Sequence, residues 1–369
     1  MATEREIHSD LAVPPGEYLE EVIAELGMTK DELARRMGRP ATKLSPIFKG
    51  AKAITPDTAM QLEKVVGVSA NIWLGLESEY RLALARKAEN DQLVEERKLL
   101  TPFCYSRLAE LGLVRKLNNR SEKVRELQRF FGVATLASVG VVRQYQAAFR
   151  VGKARARAAN SHAVASWLRM GEVRAREVAC RPFDRSRLEA LLDRLRGMTL
   201  QTPDEFDAPL AESLAECGVA LVIAPHFPGT KAHGATFWLT PDKAVLMLTI
   251  RGRWADIFWF SLFHELGHIL LHGQRGIFIE DGSASPGQEG QEEEADAFAA
   301  DLLVPPPAYS AFVDRANFYP DAIVAFAREV EVNAGIVVGR LQHDGYLPPE
   351  WGNKLRTRYV WNQEAESEA

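Results

Sequence analysis

Three cysteines in 369 residues are too few to staple a fold. Cys104, Cys180 and Cys217 are widely spaced, odd in number and without metal-ligand spacing. No disulfide framework is expected, and the usage suggests a reducing compartment. The beginning of the sequence shows no secretory-signal pattern. No apolar run of membrane-spanning length is free of charge. The nearest, residues 254–272, carries Asp256, Glu265 and histidines, so it reads as a globular core helix. The expectation is a cytoplasmic protein with no membrane partner. The length suffices for two or three domains, each with its own core.

The net charge of −5 hides an asymmetry. Residues 1–90 hold 12 basic and 14 acidic side chains (−2), residues 91–200 hold 22 and 11 (+11), and residues 201–369 hold 11 and 25 (−14). Such blocks mark separate modules. The basic middle either touches nucleic acid or pairs with the acidic C-terminal part, and the sequence leaves both open.

Residues 264–268 read His264-Glu265-Leu266-Gly267-His268. The flanks are apolar and free of proline, so the segment is a core helix almost all round. Histidines four apart lie on one helix face, one turn from each other. Both imidazoles therefore reach a single zinc ion, and the glutamate beside the first can take a proton from a water activated there. The plain alternative is a buried helix with two incidental, hydrogen-bonded histidines. Two histidines and a glutamate buried in so apolar a helix are costly when uncompensated. A metal offsets that cost and accounts for all three.

The third ligand decides more. A histidine six residues after His268 would mark a metzincin; that position is Gln274, which excludes the class. Downstream, residues 291–305 read QEEEADAFAADLLVP and offer Glu292, Glu293 and Glu294. Ala295, Ala299, Leu302 and Leu303 form the inward stripe, and Glu292 stands three and seven residues before its first two members. Glu293 points with Ala297 and Ala300, and Glu294 with Phe298 and Asp301. Glu292 is therefore the expected ligand. Asp296, one turn on, is the acid expected to hold a zinc-bound imidazole by its other N–H. The competing reading is a solvated acidic helix start favoured by the macrodipole. It loses weight once the run is paired with HELGH.

HELGHILLH followed by EEEADAFAADLLVP resembles the ImmA/IrrE family of zinc metallopeptidases. The match covers residues 219–304 well and runs on more loosely toward Tyr359. It implies an α+β zincin-like domain of gluzincin type over residues 206–360. The implied site is Zn2+ on His264, His268 and Glu292, with Glu265 as base. Residues 219–224, 235–240 and 244–249 read as strands, the last two split by Pro241-Asp242-Lys243. In zincins an edge strand beside the active helix holds an extended substrate by β-augmentation; which strand would do so is left open. Residues 321–330 read as a helix, and another begins at Asn333. His343 and Tyr346 are candidates to stabilise the oxyanion, against the plainer reading of a packed or exposed C-terminal helix. The acidic tail, residues 361–369, is expected to be disordered.

Residues 1–90 form a separate all-α module. Thr29-Lys30-Asp31-Glu32 reads as a capping box opening a helix with Leu33, Ala34 and Met37 inward. A second short helix over residues 41–49 has Ala41, Leu44, Ile47 and Phe48 inward. Thr55 then caps a helix with Pro56 first. Two short helices joined by a glycine turn suggest a helix-turn-helix. The stretches PGEYL, LARRMGRP, KAITP and Trp73-Leu74 make this module similar to the XRE-type helix-turn-helix of HigA-like antitoxins. By that analogy the second short helix enters the DNA major groove as part of a homodimer on palindromic DNA. Residues 30–52 hold seven basic against two acidic side chains, as phosphate binding needs. The candidate contacts are Arg39, Thr42, Lys43, Ser45, Lys49 and Lys52. Pro46 breaks the pattern: either the helix kinks there, or it starts later with Ser45 as cap. The alternative is a dimerisation or partner-binding module that no longer reads DNA.

Residues 69–99 read as one long helix, and residues 91–205 as a basic α-helical linker domain. Its basic side chains (Lys153, Arg155, Arg157, Arg174, Arg176) read as solvated faces. The resulting expectation is a multidomain regulator. A DNA-binding module is fused to a zinc endopeptidase that cleaves a repressor, a toxin partner or itself, as the family's cleavage of repressors implies. The rival is a non-catalytic HigA-like antitoxin or transcription regulator that keeps the zincin fold as a sensor or partner-binding domain.

Overall fold

Helix caps and apolar spacing divide the first part of the chain into five helices: α1 (Pro15–Glu25), α2 (Lys30–Arg36), α3 (Ala41–Phe48), α4 (Pro56–Val66) and α5 (Ala70–Glu96). The computed structural model describes residues 12–146, 149, 160–225, 227–249, 254–273, 277–280 and 289–359. Lys153, Arg155, Arg157, Gln274 and the tail at 361–369 lie outside the described residues. The chain falls into two compact units, residues 1–97 and 98–369.

In the first unit Leu19, Ile23, Leu33, Leu44, Ile47, Phe48, Leu62 and Trp73 share one core. Thr29 Oγ1 accepts from the Glu32 backbone N–H at 3.2 Å, while the Glu32 carboxylate pairs with Arg35 and Arg36, each at 2.8 Å. Thr55 caps α4 and Pro56 opens it. Two points of the α3 reading are decided. First, of the two readings left open at Pro46 the late start is excluded: the helix begins at Ala41 behind Pro40, as expected, and continues through Pro46. Proline has no N–H, so the bond back to Thr42 is unmade; burial of Leu44, Ile47 and Phe48 offsets that loss. Second, Ala41 is exposed rather than inward, because the first turn projects beyond the core. The long helix α5 runs from its Ser69 cap to Glu96, and a 3-10 turn (Arg97–Leu99) takes up the rest of the expected span.

The second unit opens with α6 (Tyr105–Glu110), α7 (Arg120–Phe131), α8 (Ser161–Glu177), α9 (Arg185–Gly197) and α10 (Pro203–Glu216). A sheet follows: β1 (Val219–Ala224), β2 (Gly234–Thr240), β3 (Lys243–Thr249) and β4 (Phe278–Glu280). Its order is β1-β3-β2-β4; β1 runs parallel to β3, and β2 antiparallel to both β3 and β4. β4 was not expected, being only three residues long. Ala244, Leu246 and Leu248 of β3 enter the core shared with α10 and with α11 (Ala255–Leu271). Met247, pointing the other way, lies against Gly171 of α8. Burial on both faces explains why β1 and β3 read as nearly continuous apolar runs.

Fourteen of the 17 residues of α11 are buried, which explains its apolar character all round. The sheet covers one side, and α12 (Glu289–Leu303) and α15 (Ala334–His343) cover others. Between those two lie α13 (Pro306–Asp314) and α14 (Pro320–Glu329). The C-terminal stretch pins the start of α11. Trp259 Nε1 donates to Tyr359 Oη at 2.8 Å, and Arg356 Nη2 pairs with Asp256 Oδ2 at 2.7 Å.

Candidate functional site

Helical periodicity places His264 and His268 on one stripe of α11, with their Nε2 atoms 3.0 Å apart. Glu292, in the first turn of α12, brings its Oε2 to 3.2 Å from His264 Nε2 and 3.5 Å from His268 Nε2. These three donors lie within 4.8 Å of one another. Tetrahedral ligands bound at about 2.0–2.2 Å to one ion stand roughly 3.3–3.6 Å apart, so the group fits a metal ion with small adjustments. Gly267 makes the close approach of α12 possible. A Cβ there would stand 3.1 Å from Phe298 Cδ1 and 3.3 Å from Ala295 Cα, pushing the helix that carries Glu292 away.

The other side of each imidazole is also engaged. His264 Nδ1 meets Asp296 Oδ1 at 2.8 Å. His268 Nδ1 meets His272 Nδ1 at 2.9 Å, and His272 Nε2 meets Glu294 Oε2 at 3.0 Å. Phe278 of β4 stacks on the His268 ring at 4.0 Å and 14°. Glu293 has no place in this group among the described residues.

Burial and mutual hydrogen bonds shift the titratable groups of this cluster in opposite directions. Burial opposes charge on His264, yet hydrogen bonds to Asp296 and Glu292 outweigh it and raise its pKa to about 10. Burial would raise Glu292, but hydrogen bonds to His264 and His268 pull it down to about 2. Burial lowers His268, against the pull of Glu292. Burial holds Glu265 well above the usual carboxylate range and pushes Glu280 up to about 7. Burial is the largest cause at both Glu265 and Glu280, and the neighbouring His264 works against it.

Glu265 is fully buried, and neither of its carboxylate oxygens meets a hydrogen-bond partner among the described residues. Gly234 of β2 makes room for it: a Cβ there would stand 2.5 Å from Glu265 Oε1. Buried orphan oxygens beside a His-His-Glu donor set fit a site built for a metal ion and a water. A cavity of about 430 Å³ opens alongside, lined among others by Phe260, Ser261, Glu280, Asp296, Ala300 and His343. Tyr346 instead lies against Phe318, with ring centroids 5.7 Å apart.

The sequence reading missed Glu280, Gly234, Phe278 and the His272–Glu294 pair. His272 carried a usable signal, since it continues the four-residue spacing of His264 and His268. Glu280 and Phe278 carried little, because three residues of strand are too short for a periodic pattern.

In the first unit Thr42, Lys43, Ser45, Lys49 and Lys52 are exposed around α3. Among the described residues no ion pair engages Lys43, Lys49 or Lys52. Arg39 is half-buried, and its Nη1 donates to Thr58 Oγ1 at 2.9 Å.

The IrrE N-terminal-like domain of the Peptidase_M78 family matches residues 255–342, the span of α11 through α15. The N-terminal part is similar to the uncharacterized HTH-type transcriptional regulator YddM of Escherichia coli (strain K12). That match is 36% identical over 73 residues, 20% of this chain and 78% of the relative. The chain belongs to the XRE/HigA-type helix-turn-helix proteins, with a Peptidase_M78 domain at its C-terminus. Virulence-associated protein I of Dichelobacter nodosus is 31% identical over 77 residues, 21% of this chain and 71% of that protein. An addiction module antidote protein of the HigA family from Coxiella burnetii is 32% identical, covering 23% of this chain and 94% of its own, with a TM-score of 0.21. Among the described residues of this helix-turn-helix and Peptidase_M78 fusion, no helix is long and apolar enough to cross a membrane.

Proposed function

We propose that this chain is a DNA-binding regulator carrying a zinc-dependent endopeptidase. One observation carries the hydrolytic half: His264 Nε2, His268 Nε2 and Glu292 Oε2 converge beside the buried, unpartnered carboxylate of Glu265. Two imidazoles and a carboxylate suit zinc, which when bound supplies a Lewis acid and lowers the pKa of water. Glu265 accepts a proton from the attacking water and passes it to the leaving amine. Its burial supports that role, because burial raises its pKa above the usual carboxylate range and so makes it a better proton acceptor than an exposed carboxylate. Asp296 orients His264 through Nδ1. The cavity lined by Phe260, Ala300 and His343 receives substrate, with His343 as the candidate to stabilise the oxyanion, while Tyr346 packs against Phe318 away from the cavity lining. β4 is the sheet edge beside this site and offers its outer side to an extended chain.

For the first unit, the exposed Lys43, Lys49 and Lys52 around α3, which make no ion pair among the described residues, support phosphate contact. Thr42 and Ser45 face outward to meet bases, while Arg39 positions α3 through Thr58. A homodimer on a palindrome follows from the analogy. The substrate is a regulatory protein held near the operator, such as a repressor or toxin partner, or the chain itself.

The test is Glu265→Gln. Zinc-loaded wild type generates new protein N-termini in a cell extract, and Glu265→Gln at equal zinc content generates none. Equal patterns would favour the non-catalytic regulator. For DNA, a gel shift with the chain's own upstream region weakens with added salt and with Lys43→Ala; salt-insensitive binding would remove that half of the proposal.

A further inference from the structure

The two candidate ligand imidazoles are held differently. His264 meets a carboxylate directly, through Asp296. His268 reaches one only through a third imidazole, that of His272, whose side chain is 3% exposed. We infer that His272 and Glu294 form a hydrogen-bonded relay that fixes the tautomer and ring orientation of His268 for metal binding. The inference rests on the metal-site reading above.

With His272 neutral, proton bookkeeping gives one arrangement. A carboxylate only accepts, so His272 Nε2 carries the hydrogen that meets Glu294 Oε2. Neutral His272 then has a bare Nδ1. The 2.9 Å contact between the two Nδ1 atoms needs one hydrogen, which His268 must supply. A neutral His268 protonated at Nδ1 has its lone pair on Nε2. That atom faces His264 Nε2 and Glu292 Oε2. The relay thus selects the tautomer a metal needs, from the side the metal does not touch.

Placement supports the same reading. His272 stands just past the last turn of α11, and its side chain turns back to His268. Glu294 comes from α12, two residues from Glu292, so the relay ties the two ligand-bearing helices together at one end. Phe278 stacks on the His268 ring and restricts its tilt. The acids of α12 then divide the work: Glu292 faces the donors, Asp296 holds one imidazole and Glu294 anchors the other through His272. His272 and Glu294 are positioning residues.

The experiment measures zinc affinity of the full chain by competition with a chromophoric chelator. Wild type is compared with His272→Phe, His272→Asn and Glu294→Leu. Losing such a partner weakens metal binding by about 10–100-fold, the expectation for His272→Phe. His272→Asn keeps near wild-type affinity, because its Oδ1 can accept the His268 Nδ1–H. Glu294 is 68% exposed, so Glu294→Leu does not endanger folding, and it binds zinc more weakly than wild type. Long-range proton–nitrogen spectra show His268 protonated at Nδ1 in wild type and as a tautomer mixture in His272→Phe. Wild-type affinity in His272→Phe overturns the relay, and so does His272→Asn as weak as His272→Phe, which would indicate packing alone. If wild type binds no zinc, the metal-site reading falls and takes the relay with it. If wild type binds zinc and every variant matches it, the relay alone falls.

Discussion

A single added carbon at Gly234 would collide with Glu265. The Cβ of Gly234→Ala would stand 2.5 Å from Glu265 Oε1, 2.9 Å from Cγ and 3.0 Å from Cδ. Ordinary contacts are nearer 3.5 Å, so the carboxylate or the strand must shift by about half an ångström to one ångström. Glu265 is fully buried, so the carboxylate can shift only by disturbing the packed site around it. Overpacking of this kind costs about 1–3 kcal/mol. For domains of roughly 150–250 residues each kcal/mol lowers Tm by about 2–4 °C. Calorimetry on the metal-free full chain should show a fall of roughly 2–12 °C for Gly234→Ala. The same substitution in a Glu265→Ala background should cost little, since the colliding atoms are gone. The double-mutant cycle therefore yields a coupling of about 1–3 kcal/mol. Equal losses in both backgrounds would refute the contact and the argument that β2 is shaped around this acid.

Glu172 gives a pH signature. Burial would raise its pKa, but hydrogen bonds from Arg169 and Arg176 hold it below the usual carboxylate range. A folded-state pKa below the unfolded one gives stability that is present above about pH 4.5 and is lost as pH falls through the folded value. Glu172→Gln should cost about 3 kcal/mol at pH 7, toward the low end for a broken buried pair because Arg176 is 61% exposed. Urea titration should show the difference shrinking below about pH 4.5; a constant difference would contradict the reading. Arg356→Ala leaves the buried Asp256 carboxylate without its cation in the first turn of α11, costing about 3–5 kcal/mol, and Asp256→Asn in the same chain should restore part of it. Zinc at about 100 times its Kd should stabilise wild type by about 2.7 kcal/mol and leave a His264→Ala, His268→Ala double variant unmoved in a thermal melt.

Much of the architecture was legible because periodicity and burial speak directly in sequence. The long apolar face of α11, the Thr55-Pro56 start of α4 and three of the four strands follow local rules. The position of Glu292 was legible for the same reason: it shares a helix face with Ala295 and Ala299, which are buried. Glu294 illustrates the limit. It is off that face, yet it reaches His272, which stands just past the end of α11 and turns back toward His268. Such a contact depends on how two helices cross, which neither helix's own pattern records. Gly234 and Glu280 are hidden for a related reason: strand pairing sets them opposite each other, across 46 positions of sequence. At Pro46 local propensity left two readings of α3 open, and burial of Leu44, Ile47 and Phe48 decides for the helix that begins at Ala41.

The central claim is that two helices present one metal site of defined composition. Diffraction from zinc-loaded crystals, collected on either side of the zinc absorption edge, tests it most directly. The account predicts one strong anomalous peak about 2.0–2.2 Å from His264 Nε2, His268 Nε2 and a Glu292 carboxylate oxygen, with Glu265 outside the coordination sphere. No peak there, or a peak held by Glu293 or Glu294 in place of Glu292, would contradict it.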